Sequence, residues 1–183
     1  MLQEQHTDKN NLILVGMPGA GKSTIGRALA ERLGLSFCDT DDLLRAATGM
    51  TLIEILDTYG VDGFIERENR LCASLDLHDT VIATGGSVVY GAEAMAHLGK
   101  IGRVIYLSVS EEINLSHLSD LPTRGVVMRA GQTFADLYRE RTPLYEKYAD
   151  LIVDCDGFTP EDGGASVCAI VGTIEKELSG ARV

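Results

Sequence analysis

The sequence predicts an α/β fold of three layers, a parallel β-sheet covered by helices on both faces. Two observations carry that prediction. Short β-branched runs alternate with amphipathic stretches of helical period along nearly the whole chain. The first apolar run, LILV, then passes through the glycine-rich GMPGAGKST directly into IGRALAERL, a strand, turn and helix in immediate succession.

Residues 1–11 are polar and read as a loose tail, and residues 12–183 form one domain. Five strands are expected: Leu12 to Val15, Leu35 to Asp39, Thr80 to Thr84, Arg103 to Val109 and Asp150 to Asp154. Helical patterns fall at Lys22 to Leu33, Thr51 to Tyr59, Asp62 to Ser74, Ala92 to Leu98, Glu111 to Leu118 and Thr133 to Lys147, with a last helix ending near Leu178. The stretch LSDLPTRGVVMRAGQT, Leu118 to Thr133, has poor periodicity and combines Pro, Gly and two Arg, as a mobile loop does. No internal repeat or low-complexity segment interrupts the pattern.

A length of 183 residues suits one domain with a substantial core. The formal net charge of -11 argues against nucleic-acid or anionic-membrane partners, which need a surplus of Lys and Arg. No run is long enough to cross a bilayer, and the polar amino terminus lacks the apolar segment of a secretory signal, so a cytoplasmic protein with a small-molecule partner is expected. Cys38, Cys72, Cys155 and Cys168 are scattered without metal-ligand or disulfide spacing and read as buried small apolar residues.

The spacing Gly16-x4-Gly21-Lys22-Ser23, between a strand and a helix, is a full phosphate-loop match. Backbone N–H groups of Gly19, Ala20, Gly21, Lys22, Ser23 and Thr24 are expected to converge on nucleotide phosphates, aided by the positive end of the helix. Lys22 reaches the outer phosphates, and the Ser23 hydroxyl is a Mg²⁺ ligand. The second strand ends in Asp39-Thr40-Asp41-Asp42. At the carboxyl end of a parallel strand these carboxylates face the same crevice, where one holds hydrated Mg²⁺ and another accepts the proton of an attacking hydroxyl. They can equally cap a following helix. ATGGS, Ala83 to Ser87, also ends a strand, and its two glycines leave room for a ligand or simply form a tight turn. Arg124, Arg129, Arg139 and Arg141 concentrate positive charge, either as a solvated face or as stabilisers of a migrating phosphoryl group.

Together these pieces resemble the shikimate kinase family of phosphate-loop proteins, through GMPGAGKSTIGRALAERLG, FCDTDDLL, TGMTLIEILDTYGVDGFIERE, ATGGSVV and LYRERTPLYEKYAD. The resemblance implies a three-layer P-loop kinase with a five-stranded parallel sheet, a helical substrate-binding region at about 42–75 and a lid at about 118–133. It implies ATP as co-substrate, Mg²⁺ as cofactor, a small hydroxy-acid acceptor and a monomer. Carried over by position, Lys22 would bind the β- and γ-phosphates, while Ser23 and Asp39 would hold the metal, Asp39 through water. Asp41 would contact the acceptor hydroxyls and assist proton removal. Arg124 would serve as the lid arginine near the transferred phosphate, making Lys22, Asp41 and Arg124 the catalytic set. Glu68, Gly85, Gly86, Ser87 and Arg141 would line the acceptor site beside Asp41, with Arg141 at the substrate carboxylate. DCDGFTP, Asp154 to Pro160, resembles the adenine-embracing segment.

The departures fall on the acceptor side. The family pattern Phe-Arg-x-x-Glu is here Phe64-Ile65-Glu66-Arg67-Glu68, and Ile65 cannot contact a carboxylate. Arg67, two positions on, lies about 200° around the helix and does not replace it. Ser87 stands for the third glycine of GGG, Arg124-Gly125-Val126-Val127 for the lid motif RPLL, and Arg45 for an acidic residue. A hydrogen bond to a charged partner contributes about 1.5 to 3 kcal/mol, roughly one to two orders of magnitude in affinity. One missing clamp therefore leaves three readings open: shikimate as acceptor, another small hydroxy metabolite such as homoserine (gluconate less so), or a non-catalytic nucleotide-binding regulator. Homoserine would pair its carboxylate with Arg141 and its ammonium with Asp41, Glu66 or Glu68.

Overall fold

In a computed structural model, which describes residues 10–116, 125–159 and 164–180, the five expected strands form one parallel sheet. They are β1 (Asn11–Val15), β2 (Ser36–Asp39), β3 (Thr80–Ala83), β4 (Gly102–Ser108) and β5 (Leu151–Asp154), in the order β2-β3-β1-β4-β5. The register is direct, with Leu14 opposite Ala83 on one side and Ile105 on the other. The helices are α1 (Lys22–Leu33), α2 (Thr40–Thr48), α3 (Leu52–Ala73), α4 (Ala92–Ile101), α5 (Glu111–Ser116), α6 (Phe134–Tyr148) and α7 (Ala165–Gly180). A short 3₁₀ turn spans Val88–Tyr90.

Strands buried on both faces are apolar through most of their length, and Leu12 to Val15 of β1 is the clearest case. Leu12 and Leu14 face α1 and α7, packing with Ile25, Leu29, Ile170 and Ile174. Ile13 and Val15 face the other way, toward Met95, Leu98, Leu137 and Tyr145 of α4 and α6. A third, smaller apolar cluster joins Leu44, Ile55, Phe64 and Val127.

Several boundaries differ from expectation for identifiable reasons. Asn11, which its polarity places in the tail, opens β1 and is buried; its side-chain amide donates to the Leu77 and Ile101 carbonyls and its oxygen accepts from the Thr80 amide. Residues 1–9 lie outside the described residues. The two helices expected at 51–59 and 62–74 are one helix, α3, bent at Gly60, whose φ of 67° is open to glycine at little cost. Its capping box, Thr51 with Glu54, fixes the start.

The helix α2 is missing from the expected elements, although TDDLLRAAT places its apolar residues on one helical face. Asp39 accepts from the Asp41 amide as its N-cap, Asp41 and Asp42 sit at its positive end, and Gly49 closes it. Of the four cysteines, Cys72 and Cys155 are buried as expected. Cys38 is half-buried, on the edge strand β2, and Cys168 is exposed on the outer face of α7, which corrects the reading for these two. Of the expected loop 118–133, residues 118–124 lie outside the described residues and 125–133 run without regular structure to the Thr133 cap of α6.

Candidate active site

Parallel strands end on one side of the sheet, and the carboxyl ends of β1, β2 and β3 bring their following loops to a common cleft of about 410 Å³. Lys22, Ser23, Asp39, Asp41, Glu68, Gly85, Gly86, Ser87 and Arg141 all line it, as do Gly19, Gly21 and Thr24. Ala20 is fully buried beneath the loop. Arg124 lies outside the described residues.

The phosphate loop wraps around its own lysine. Lys22 Nζ donates to the Gly16 and Met17 carbonyls, both at 2.8 Å, and burial lowers its pKa to about 8 against the opposing charges of Asp41 and Asp39. Beside it, Ser23 Oγ donates to Asp39 Oδ2 at 2.6 Å. Asp39 thus caps α2 with one oxygen and meets Ser23 with the other, so capping leaves one oxygen beside the Ser23 hydroxyl. A hydroxyl and a carboxylate next to a phosphate loop form the sparse oxygen set that Mg²⁺ accepts, since it draws further ligands from phosphate and water. Among the described residues no cluster of three or more His, Cys, Asp or Glu offers an all-protein metal cage.

Asp41 projects from the first turn of α2. Burial, and after it the neighbouring Asp39 charge, push its carboxyl above the usual range, while Lys22 pulls it down. Arg141, 1 % exposed on α6, is held by two contacts: Nη2 donates to the Val127 carbonyl at 2.6 Å and Nε to the Tyr90 hydroxyl at 3.2 Å. An added Cβ on Gly86 would lie 3.1 Å from Arg141 Nη1, so the third nitrogen stands against bare backbone. A rigidly held guanidinium with a face toward a cleft binds a carboxylate with little ordering cost.

The remaining arginines divide as charge alone could not reveal. Arg139 pairs with Asp136 and Arg129 with Asp62, both on the surface. Arg45 pairs with Asp42, three residues back on α2. Arg67 stacks on Tyr59 and donates to the Gly63 carbonyl, so it does not replace the missing clamp. Ile65 packs with the Leu44, Phe64 and Val127 cluster and lines a separate cavity of about 220 Å³ with Asp62, Tyr90 and Arg129. Gly125, where the family motif has proline, adopts a φ of 63° that proline cannot reach, and its α-carbon faces Leu52 so closely that a Cβ would lie 2.8 Å from the Leu52 Cβ.

Four supporting residues escape a reading of the sequence. Thr40 Oγ1 accepts from the Gly85 amide, and the Tyr145 hydroxyl donates to the Gly86 carbonyl, fixing the glycine pair from both sides. Tyr145 is four positions after Arg141, a spacing that puts both on one helix face and offers a signal. Asn114, on α5, donates to the Pro18 carbonyl and ties the phosphate loop down. Tyr90 carries no local signal. Phe158, from the expected adenine segment, packs against the loop so that a Cβ on Gly21 would meet its ring at 2.9 Å; Pro160 lies outside the described residues.

Residues 18–172 match the family model described as shikimate kinase. The chain is 36 % identical over 155 residues to a shikimate kinase of Thermodesulfovibrio yellowstonii, covering 83 % of this chain and 89 % of the relative. It is 42 % identical over 153 residues to one of Pseudomonas entomophila, covering 82 % and 89 %. Among solved structures, shikimate kinase from Acinetobacter baumannii in complex with shikimate superposes with a TM-score of 0.80 at 30 % identity, covering 94 % of both chains. The enzyme from Aquifex aeolicus gives 0.76 at 25 % identity, covering 94 % of this chain and 98 % of the other.

Proposed function

The chain belongs to the shikimate kinase family and is an ATP-dependent phosphotransferase acting on a hydroxyl group; on that footing we propose that its acceptor is shikimate, phosphorylated at the 3-hydroxyl. The observation that carries this reading is the buried Arg141, turned toward the same cleft as Asp41 and the phosphate loop, where an acceptor carboxylate and an acceptor hydroxyl are gripped at once. Homoserine gains no support over shikimate from the relatives. Ile65, the residue that suggests it, belongs to an apolar cluster and lines the neighbouring cavity.

In this reading the amides of Gly19 through Thr24 cradle the nucleotide phosphates. Lys22 exchanges its two carbonyl partners for the β- and γ-phosphate oxygens, a rearrangement helped by its readily shed pair of neutral acceptors. Asp41 orients the acceptor hydroxyl and takes its proton, its raised pKa bringing it closer to the working pH. Arg141 holds the carboxylate, Gly85 and Gly86 keep the floor bare, and Ser87 and Glu68 complete the acceptor wall. Ser23 and Asp39 would hold Mg²⁺, which when bound neutralises phosphate charge. Arg124, within a lid spanning about 118–133, supplies positive charge to the migrating phosphoryl group. Residues 42–75 form the substrate-binding region of a single kinase domain following a short amino-terminal tail. A monomer and a cytoplasmic location suit this reading, and no described helix is long and apolar enough to cross a membrane.

The test is ADP release from MgATP with shikimate, homoserine, gluconate, threonine or no acceptor. Saturable turnover with shikimate at least an order of magnitude above the others is expected. Preference for homoserine, or slow turnover that no acceptor stimulates, overturns the assignment.

A further inference from the structure

Glu68 and Ser87 are both buried, each 2 % exposed. The Ser87 hydroxyl donates to Glu68 Oε2, while Glu68 Oε1 has no hydrogen-bond partner among the described residues. An added Cβ on Gly85 would lie 2.1 Å from that Oε1 and 2.9 Å from Asp41 Oδ1. Two carboxyl oxygens from different helices, at most about 5 Å apart, therefore pack over the Gly85 α-carbon at the cleft floor. No Lys, Arg or His among the described residues lies within ion-pair distance of Glu68. A buried carboxyl beside a cleft, with one oxygen clamped and the other left without a partner, is completed by a donor from the ligand.

We propose that Ser87 is a positioning residue for acceptor recognition: by holding Oε2 it turns Oε1 of Glu68 over Gly85, where Glu68 and Asp41 together read two neighbouring hydroxyls of the acceptor. The inference rests on the kinase reading and deepens it. A ligand with adjacent hydroxyls gives one donor to each carboxyl. An acceptor with a single hydroxyl leaves one oxygen buried and unpaired, and a site built to bind a hydroxyl rejects the analogue lacking it.

The charged and titratable groups around Glu68 are Asp41 on α2, Lys22 on α1, Arg141 and Tyr145 on α6, and Cys72 on its own helix. Burial pushes the Glu68 carboxyl up to about 7; Ser87, Arg141 and Lys22 pull it down and Asp41 pushes it further up. The ionised form, which accepts the ligand hydroxyl, prevails above that pH. Since Ser87 donates to the charged form, its loss raises the pKa.

The experiment measures acceptor KM against pH for wild type, Ser87→Ala and Glu68→Gln, with shikimate and with an analogue lacking one of its neighbouring hydroxyls. In the wild type, KM for shikimate falls as pH rises through about 7. Ser87→Ala moves that inflection up by about one pH unit, raises KM at neutral pH roughly tenfold and shrinks the preference for shikimate over the analogue, while KM for MgATP moves little. Glu68→Gln removes the inflection. An unchanged KM and inflection in Ser87→Ala overturn the proposal, as does an inflection that persists in Glu68→Gln. If Ser87→Ala fails to fold, Glu68→Gln alone decides. A wild type that does not turn over shikimate brings down the acceptor assignment and this proposal together, whereas an active wild type with an indifferent Ser87→Ala brings down this proposal alone.

Discussion

The two halves of the cleft are built by opposite means. The phosphate-binding core of the donor half is a single continuous segment, residues 16–24, in which the turn, the helix start and the lysine all come from one stretch of chain and the lysine rests on carbonyls five and six positions away. The acceptor half is gathered from four places: Asp41 on α2, Glu68 on α3, the Gly85–Ser87 turn after β3, and Arg141 on α6. Its members are held by long-range hydrogen bonds, such as Ser87 to Glu68 and Tyr145 to the Gly86 carbonyl. A segment that forms its site locally resists change elsewhere in the chain. A site assembled across helices can be retuned one wall at a time, and Ile65, Ser87 and Gly125 all lie in or beside the second half.

Substitutions on each side put the contrast to the test. Lys22→Ala is expected to lower kcat by roughly four orders of magnitude with every acceptor, because the charge it supplies is used by the donor whatever receives the phosphoryl group. Steady-state ADP release checks this, and an effect confined to one acceptor would dissolve the division. Asp41→Asn lowers kcat by about three orders while nucleotide affinity, measured by calorimetry, stays within a factor of two or so.

Glu68→Gln separates stability from recognition. In the folded protein the carboxyl binds its proton up to about pH 7, whereas unfolded it releases it near 4.5. The native state thus holds the extra proton across that window, and wild-type stability falls as pH rises from about 4.5 through about 7. Glutamine carries no such dependence, so the variant gains on the wild type across the window, by on the order of 3 kcal/mol at its upper end. Melting temperatures that diverge between about pH 5 and pH 8 bear this out; parallel curves contradict it.

Arg141→Lys keeps the charge but cannot serve the Val127 carbonyl, Tyr90 and a carboxylate at once. It raises acceptor KM about ten- to a hundredfold, with kcat less affected, in the same assay. The smallest effect is expected at Gly125→Ala, where a φ of 63° and the close approach of Leu52 cost about 1 kcal/mol or somewhat more in stability, read by denaturant titration.

Strand positions are legible to within a residue or so because burial on both faces favours apolar runs, and the runs at residues 12–15 and 81–83 mark β1 and β3, whose polar first residues Asn11 and Thr80 are buried with them. The helix α2 is easily passed over, since TDDLLRAAT is short and begins with capping residues whose role depends on the structure adopted by the residues after them. Arg129, Arg139 and Arg141 look alike as sequence. The family resemblance singles out Arg141, and packing supplies the reason, leaving two paired on the surface and one buried behind Tyr90 and Val127. Ile65 reads as a gap in the cleft wall, and its side chain instead belongs to an apolar cluster beside it.

The alternating fold, the phosphate loop and the carboxylates after β2 could be read from the chain alone, because each depends on residues near one another in it. Which arginine faces the cleft, that Glu68 keeps one oxygen bare and that Ser87 holds the other were settled by packing. Those facts depend on distances between helices, and a closed core is what fixes them.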